Sequence, residues 1–347
     1  MSEAVLTPVR EAHRFDEAVL RAYLERHQQG FRGPLSIRQF EGGQSNPTYL
    51  LIAASGRYVL RKQPPGELLP SAHQVDREYR VMDALANSPV PVPKMRCLCM
   101  DRDVIGATFY VMDYVEGRMF SDAMLPGVTS TERRAIYSDL ARVLAELHRV
   151  DPQAVGLGDF GRSGNYFARQ ISRWSRQYEA SATEHVEAMT RLMRWLPENV
   201  PESEHVSIVH GDYRIGNCLI DSSEPRIAAV LDWELSTLGD PLADLGYVCQ
   251  IYYIRGVSIG VGGADLARLG IPDQTAFVAD YRRHGGSASV DHLQFSIIYN
   301  LFRLAGICQG VYKRGLDGNA SSEQALTFKD LARMYADIAW NLAESLD

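Results

Sequence analysis

Cysteine is scarce. The 347 residues hold five, Cys97, Cys99, Cys218, Cys249 and Cys308. Their number is odd and their positions are scattered, which excludes a disulfide framework as the basis of the fold. Cys97 and Cys99 form a C-x-C with no second cysteine pair or histidine pair beside it, so the spacing of a zinc site is missing. Buried thiols in a reduced, cytoplasmic protein are the expectation. Residues 1–10 lack the apolar core of a secretory signal. The most apolar long segment, residues 295–312, is interrupted by Asn300, Arg303 and Gln309. It reads as a buried helix, so no membrane partner is expected. Positive charge is not in surplus either. Lys and Arg number 36 against 43 Asp and Glu, for a formal net charge of −7. A nucleic-acid partner would want the opposite balance, and none is expected. Internal repeats and low-complexity tracts are absent. What remains, 46% hydrophobic and 23% charged, is ordinary globular composition with room for two lobes.

The first third carries strand signals at residues 37–41, 48–53, 57–62, 95–100 and 108–115, runs of β-branched, aromatic and aliphatic residues. A helix is predicted over 73–87, with Val75, Tyr79, Met82 and Leu85 on one face, stopped by Pro89, Pro91 and Pro93. After Gly117 the period becomes helical. Helices are predicted over 131–150, 163–180, 184–196, 240–253, 274–284, 291–313 and 321–346. Among them lies a short apolar island of strands at 206–209, 218–220 and 227–231. The class is α+β, with a β-rich lobe over 1–115 and a helical lobe over 116–347.

The island holds the chemistry. His210-Gly211-Asp212-Tyr213-Arg214-Ile215-Gly216-Asn217 has the H-x-D-x-x-x-x-N spacing of a kinase catalytic loop, and Asp232 follows an apolar strand ending at Leu231. Phosphoryl transfer asks for such a set. A carboxylate must orient the attacking hydroxyl and take its proton, and Mg²⁺ on a polyphosphate needs hard oxygen ligands. Each residue alone has a plain structural explanation as a turn, cap or core hydrogen bond. The joint spacing carries the argument.

The N-terminal strands agree. Glu41-Gly42-Gly43-Gln44-Ser45-Asn46 sits between two predicted strands. Glycine at Gly43 allows close backbone approach to phosphate, and Ser45 and Asn46 add donors. No Gly-Lys-Ser/Thr follows, so this is not a Walker A loop. The next strand ends in Arg61-Lys62, where a kinase places a phosphate-binding cation paired with a helix glutamate, here Glu78. Alternation puts Arg61 and Lys62 on opposite faces, so only one points inward. Arg61 is favoured because it closes a Val-Leu-Arg frame; Lys62 is the alternative. Residues 109–117 match a kinase hinge, with the Asp113 carbonyl and Val115 N–H facing an adenine and Met112 lining the back.

These residues, with Gly239-Asp240-Pro241-Leu242-Ala243-Asp244-Leu245, resemble the aminoglycoside phosphotransferase and choline kinase family, of protein-kinase-like fold. Residues 43–49, 231–241 and 309–314 look like the subgroup whose kinase-like module precedes an acyl-CoA dehydrogenase domain in larger proteins. The resemblance implies a catalytic base at Asp212, magnesium ligands at Asn217 and Asp232, and phosphate contacts at Ser45 and Asn46. Arg214 is expected to serve the transferring phosphate. Asp240 and Asp244 are expected to be structural, and His148 a buried histidine near the loop. Asp232-Trp233-Glu234 replaces the Asp-Phe-Gly of protein kinases, and no Ala-Pro-Glu follows, which argues against a protein substrate. No flavin-binding signal supports a dehydrogenase. The implied activity is transfer of phosphate from ATP or GTP, with Mg²⁺, to a small-molecule hydroxyl. Residues 245–347 carry nine Lys/Arg against ten Asp/Glu, so no acid-rich pocket for a cationic antibiotic is evident. A hydroxy acid or hydroxyacyl-CoA is the favoured acceptor. An aminoglycoside- or choline-type kinase, or a nucleotide-binding pseudokinase, is the alternative.

Overall fold

A computed structural model describes residues 6–41, 46–64, 73–162, 164–203, 205–318 and 323–346. The Gly43 and Ser45 expectations lie outside the described residues. The chain forms two compact units. The first comprises Met1–Phe120, Val155–Leu157 and Gly216–Ser236, the second Ser121–Ala154, Gly158–Ile215 and Thr237–Asp347. Gly216–Ser236, far along the chain, groups with the first unit. Hydrogen bonds explain it. Arg118 and Ile220 exchange backbone bonds at 2.6 and 2.9 Å, and Val230 N–H donates to the Pro91 carbonyl at 2.8 Å.

In the first unit, β1 (Leu6–Thr7), β2 (Leu35–Phe40), β3 (Thr48–Ala53), β4 (Gly56–Lys62), β5 (Met95–Cys99) and β6 (Phe109–Asp113) form an antiparallel sheet in the order β1-β2-β3-β4-β6-β5. Helix α1 (Glu17–His27) was not anticipated. It starts where the Asp16 carboxylate accepts from the N–H groups of Ala18 and Val19, a capping arrangement. Its Leu20 and Leu24 join Tyr49, Leu51, Leu60, Phe109 and Val111 in one core. Helix α2 (Val75–Leu85) buries Val75, Glu78, Val81, Met82 and Leu85. Glu78, not Tyr79, thus shares the buried face, which sets a carboxylate in the core. A hairpin, Cys218–Ile220 with Ile227–Val230, completes the unit.

The second unit is helical: α3 (Ser130–Arg149), α4 (Tyr166–Ser181), α5 (Glu187–Glu198), α6 (Leu242–Cys249), α7 (Leu266–Leu269), α8 (Gln274–Arg283), α9 (Leu293–Leu316) and α10 (Phe328–Glu344). Helix α9 is the hub, packed by α4, α5, α6 and α10. Because it is surrounded, even its polar residues Ser296, Asn300, Arg303 and Gln309 are buried. Helix α6 begins at Leu242, whose N–H donates to the Asp240 carboxylate at 2.8 Å just ahead of the first turn. Strands Ser207–Val209 and Thr237–Gly239 pair antiparallel and flank the loop that begins at His210. No helix among the described residues is long and apolar enough to cross a membrane.

Candidate active site

In the first unit the chemistry gathers on one cation. Arg61 Nε lies 2.9 Å from Glu78 Oε2, and its terminal nitrogen lies 2.8 Å from Asp232 Oδ1 and 3.6 Å from Glu234 Oε2. Arg61 is therefore the strand cation that meets Glu78. Lys62 points to the other face, as alternation demands; its ammonium sits 5.9 Å from the Phe15 ring centre, and burial lowers its pKa. Arg61, and not the alternative Lys62, thus pairs with Glu78.

Glu78 is 1% exposed. Besides Arg61 it accepts from Asn46 Nδ2 at 2.9 Å and from the Tyr110 hydroxyl at 3.1 Å. Burial pushes its carboxyl up, to about 7, against the pull of Arg61, and Asp232 and Glu234 push the same way as burial. The Asn46 amide is also engaged by His73 Nδ1 at 3.0 Å. Its side chain thereby braces Glu78.

The hairpin places Asn217 and Asp232. Leu231 N–H donates to the Asn217 carbonyl at 2.8 Å, so both residues sit at its open end. Asp232 adopts φ 65° and ψ 56°, left-handed backbone that a non-glycine residue occupies at a cost and that recurs at functional sites. Three carboxylates share one guanidinium here, and that surplus of negative oxygen suits a divalent cation. Among the described residues no set of three or more His, Cys, Asp or Glu side chains has metal-holding geometry. Magnesium fits nonetheless, since it takes one or two protein oxygens and completes its shell with phosphate oxygens and water. In the hinge segment Met112 is buried, and Asp113 is held by Arg96 through paired bonds of 2.6 and 2.7 Å. Val115 follows β6 and is half-buried.

In the second unit a buried carboxylate holds the catalytic-loop spacing in place. Asp244 accepts from His210 N–H at 2.7 Å and from Gly211 N–H at 2.8 Å, one bond to each oxygen. His148 Nε2 lies 3.5 Å from Asp244, and its Nδ1 lies 2.8 Å from the Tyr281 hydroxyl. Burial opposes the Asp244 charge, yet the hydrogen bond and charge of His148 and the neighbouring His210 hold its pKa below the usual carboxylate range. The loop turns at Gly211, φ 81°. His210 Nδ1 then accepts from Asp212 N–H at 3.2 Å, and the Tyr213 hydroxyl ties the loop to the Leu140 carbonyl at 2.9 Å. Asp212 is left 21% exposed, with Arg214 Nε 3.5 Å away. The structural expectations for Asp240, Asp244 and His148 agree with these bonds. The sequence reading did not single out Glu234 and Tyr110. Glu234 had a signal, its position two residues after Asp232; Tyr110 had none beyond strand alternation.

A family model described as phosphotransferase enzyme family matches residues 36–288. Mouse acyl-CoA dehydrogenase family member 10 is 44% identical over 314 residues, which are 90% of this chain but only 29% of that protein. A Ralstonia eutropha structure described as a candidate aminoglycoside phosphotransferase is 47% identical, with TM-score 0.88, covering 96% of this chain and 99% of that one. A thermostable mutant of aminoglycoside phosphotransferase APH(4)-Ia, solved with ADP and hygromycin B, is 16% identical with TM-score 0.60, covering 92% and 97%; at that identity the likeness speaks for fold alone.

Proposed function

The chain belongs to the phosphotransferase enzyme family and is a small-molecule kinase, and from that premise we propose that it transfers the γ-phosphate of ATP or GTP to the hydroxyl of a hydroxy acid or hydroxyacyl-CoA. The observation that supports the transfer most directly is Asp212, partly exposed on a loop whose backbone is locked by Asp244. Asp212 orients the acceptor hydroxyl and takes its proton as the oxygen bonds to the γ-phosphorus. The bond from that phosphorus to the β–γ bridging oxygen breaks, and its electron pair stays on the nucleoside diphosphate. Arg214 meets charge on the transferring group. Asn217 and Asp232 would hold Mg²⁺, with Glu234 beside them; bound there, the ion neutralises polyphosphate charge. Arg61, braced by Glu78, contacts the phosphates, and the Asp113–Val115 backbone takes the adenine or guanine.

The acceptor rests on two supports. The C-terminal residues are balanced in charge and do not repel an anion. The mouse relative is named acyl-CoA dehydrogenase family member 10, and phosphorylating a chain hydroxyl makes it a leaving group for later elimination. The test incubates the chain with ATP, GTP and Mg²⁺ against hydroxy acids, hydroxyacyl-CoA thioesters, choline and an aminoglycoside, reading phosphate transfer by mass spectrometry. Transfer to the acids or thioesters is expected. Transfer to choline or the aminoglycoside alone would overturn the acceptor assignment and leave the kinase intact.

A further inference from the structure

Helix α9 carries a guanidinium where a hydrophobic residue would pack more cheaply. Arg303 is 6% exposed. Among the described residues it forms no ion pair or hydrogen bond. It lies instead against two rings, 5.6 Å from the Trp174 centroid and 5.3 Å from that of Tyr247. Cation–π contacts of this kind recover only part of the cost of burying a charge. Tyr166, Tyr299 and Asp212 are near enough to act on it electrostatically.

A second donor in the same place lacks an acceptor. The Trp174 indole Nε1 is buried without a hydrogen-bond partner. The Tyr299 hydroxyl feels it as a hydrogen-bond donor, but at a geometry short of a full bond. A buried N–H left unmade is costly, and native structures seldom tolerate one beside an unpaired guanidinium. Both deficits are of donors, so one guest with anionic oxygens relieves both. The location gives the guest a role, because Tyr247, which lies under Arg303, is also hydrogen-bonded to Asp212.

We propose that Arg303, with Trp174 and Tyr247, receives the carboxylate of the phosphate acceptor and thereby sets its hydroxyl at Asp212. The proposal rests on the small-molecule kinase reading and narrows it to acceptors with a free acid group. A carboxylate matches the planar, paired donors of a guanidinium.

The test uses the full chain with Mg²⁺ and ADP. Octanoates hydroxylated at C3, C4 or C5 are titrated by calorimetry, with their methyl esters and CoA thioesters in parallel, and KM and kcat are measured with Mg²⁺ and ATP. The wild type should bind at least one acid more tightly than its ester or thioester. Arg303→Met should weaken that acid about 10- to 100-fold, the scale of a charge-assisted bond, through KM and with little change for the ester. Arg303→Lys should recover part of the loss. Trp174→Phe should weaken the acid a few-fold. Thermal stability of Arg303→Met should hold or rise, since an unpaired buried charge is removed. An acid-to-ester ratio unaltered in Arg303→Met, or no acid binding by the wild type, overturns the proposal. So does a fall in kcat that is equal for acid and ester, which would give Arg303 to the transferring phosphate. The kinase reading is judged separately, by nucleotide titration and by transfer to any acceptor.

Discussion

Two buried carboxylates, Glu78 in the first unit and Asp244 in the second, are shifted in opposite directions by their surroundings. Glu78 is 1% exposed and Asp244 0%, so burial opposes charge in both. Asp244 answers with donors, two backbone N–H groups and His148, and is held below the ordinary range. Glu78 shares its one cation with Asp232 and Glu234 and is pushed up to about 7. A satisfied anchor suits a loop that must present Asp212 in one fixed place. A negatively crowded cluster suits residues that are to receive a cation and a polyphosphate. The difference is one of task, and each half makes a different prediction.

The largest effect comes from removing the chemistry while leaving both anchors. Asp212→Asn should lower turnover by roughly 10²–10⁴, while calorimetry shows nucleotide affinity and melting temperature unchanged. Activity within a few-fold of wild type would end the role of Asp212 as base.

The anchors themselves come next. Asp244→Asn sets an amide NH₂ against the N–H of His210 or Gly211, donor facing donor, and should cost about 3 kcal/mol or more in urea denaturation. Glu78→Gln has a way out. Its carbonyl can still accept from Asn46 and from Arg61 Nε, 3.3 Å from Oε1, the Tyr110 hydroxyl can turn to accept from the new NH₂, and repulsion from Asp232 and Glu234 is relieved. Its cost should stay within about 1 kcal/mol. Equal losses in the two variants would erase the contrast between the anchors.

A smaller effect separates the two adjacent cations of β4. Arg61→Ala strips the shared cation from three carboxylates and should raise the nucleotide KM by roughly tenfold or more. Lys62→Ala, on the opposite face beside Phe15, should change it by less than about twofold. The reverse ranking would mean that the nucleotide approaches the other face of the sheet.

The sequence made the local half of this legible. Strand 48–53 is bounded by turn residues and matches β3 residue for residue, and the helix periodicities of α3, α8 and α9 matched to within a few residues. The Asp212, Asn217 and Asp232 spacing was readable because one loop and one hairpin carry it. Elements held by partners far along the chain were not readable. Strand Thr237–Gly239 is three residues long and exists through Ser207–Val209. Helix α1 buries only Leu20 and Leu24, too sparse a stripe to stand out. The bond from Asn46 to Glu78, 32 residues on, is purely tertiary, and the glycine-rich setting of Asn46 gave no sign of it. Trp174 and Arg303, on two different helices, carry no common motif at all.

The pH dependence of stability bears most directly on the two carboxylates. Glu78 has an ordinary value of 4.5 and a folded one of about 7. Between those limits the unfolded chain has released the proton while the folded chain still holds it. Folded protein therefore binds more protons there, and stability falls as pH rises from about 4.5 to about 7. Asp244 has the opposite sign. Its folded pKa lies below its ordinary value of 3.8, so its contribution is present above that value and is lost as pH falls through the folded one. Titrations that the wild type and Glu78→Gln have in common cancel in the difference between their unfolding free energies. That difference should decline steadily from pH 4.5 to 7 and be flat above about 8. A flat difference across the whole range would show that Arg61 keeps Glu78 ionised throughout, and the crowding by Asp232 and Glu234 would then carry no energetic weight.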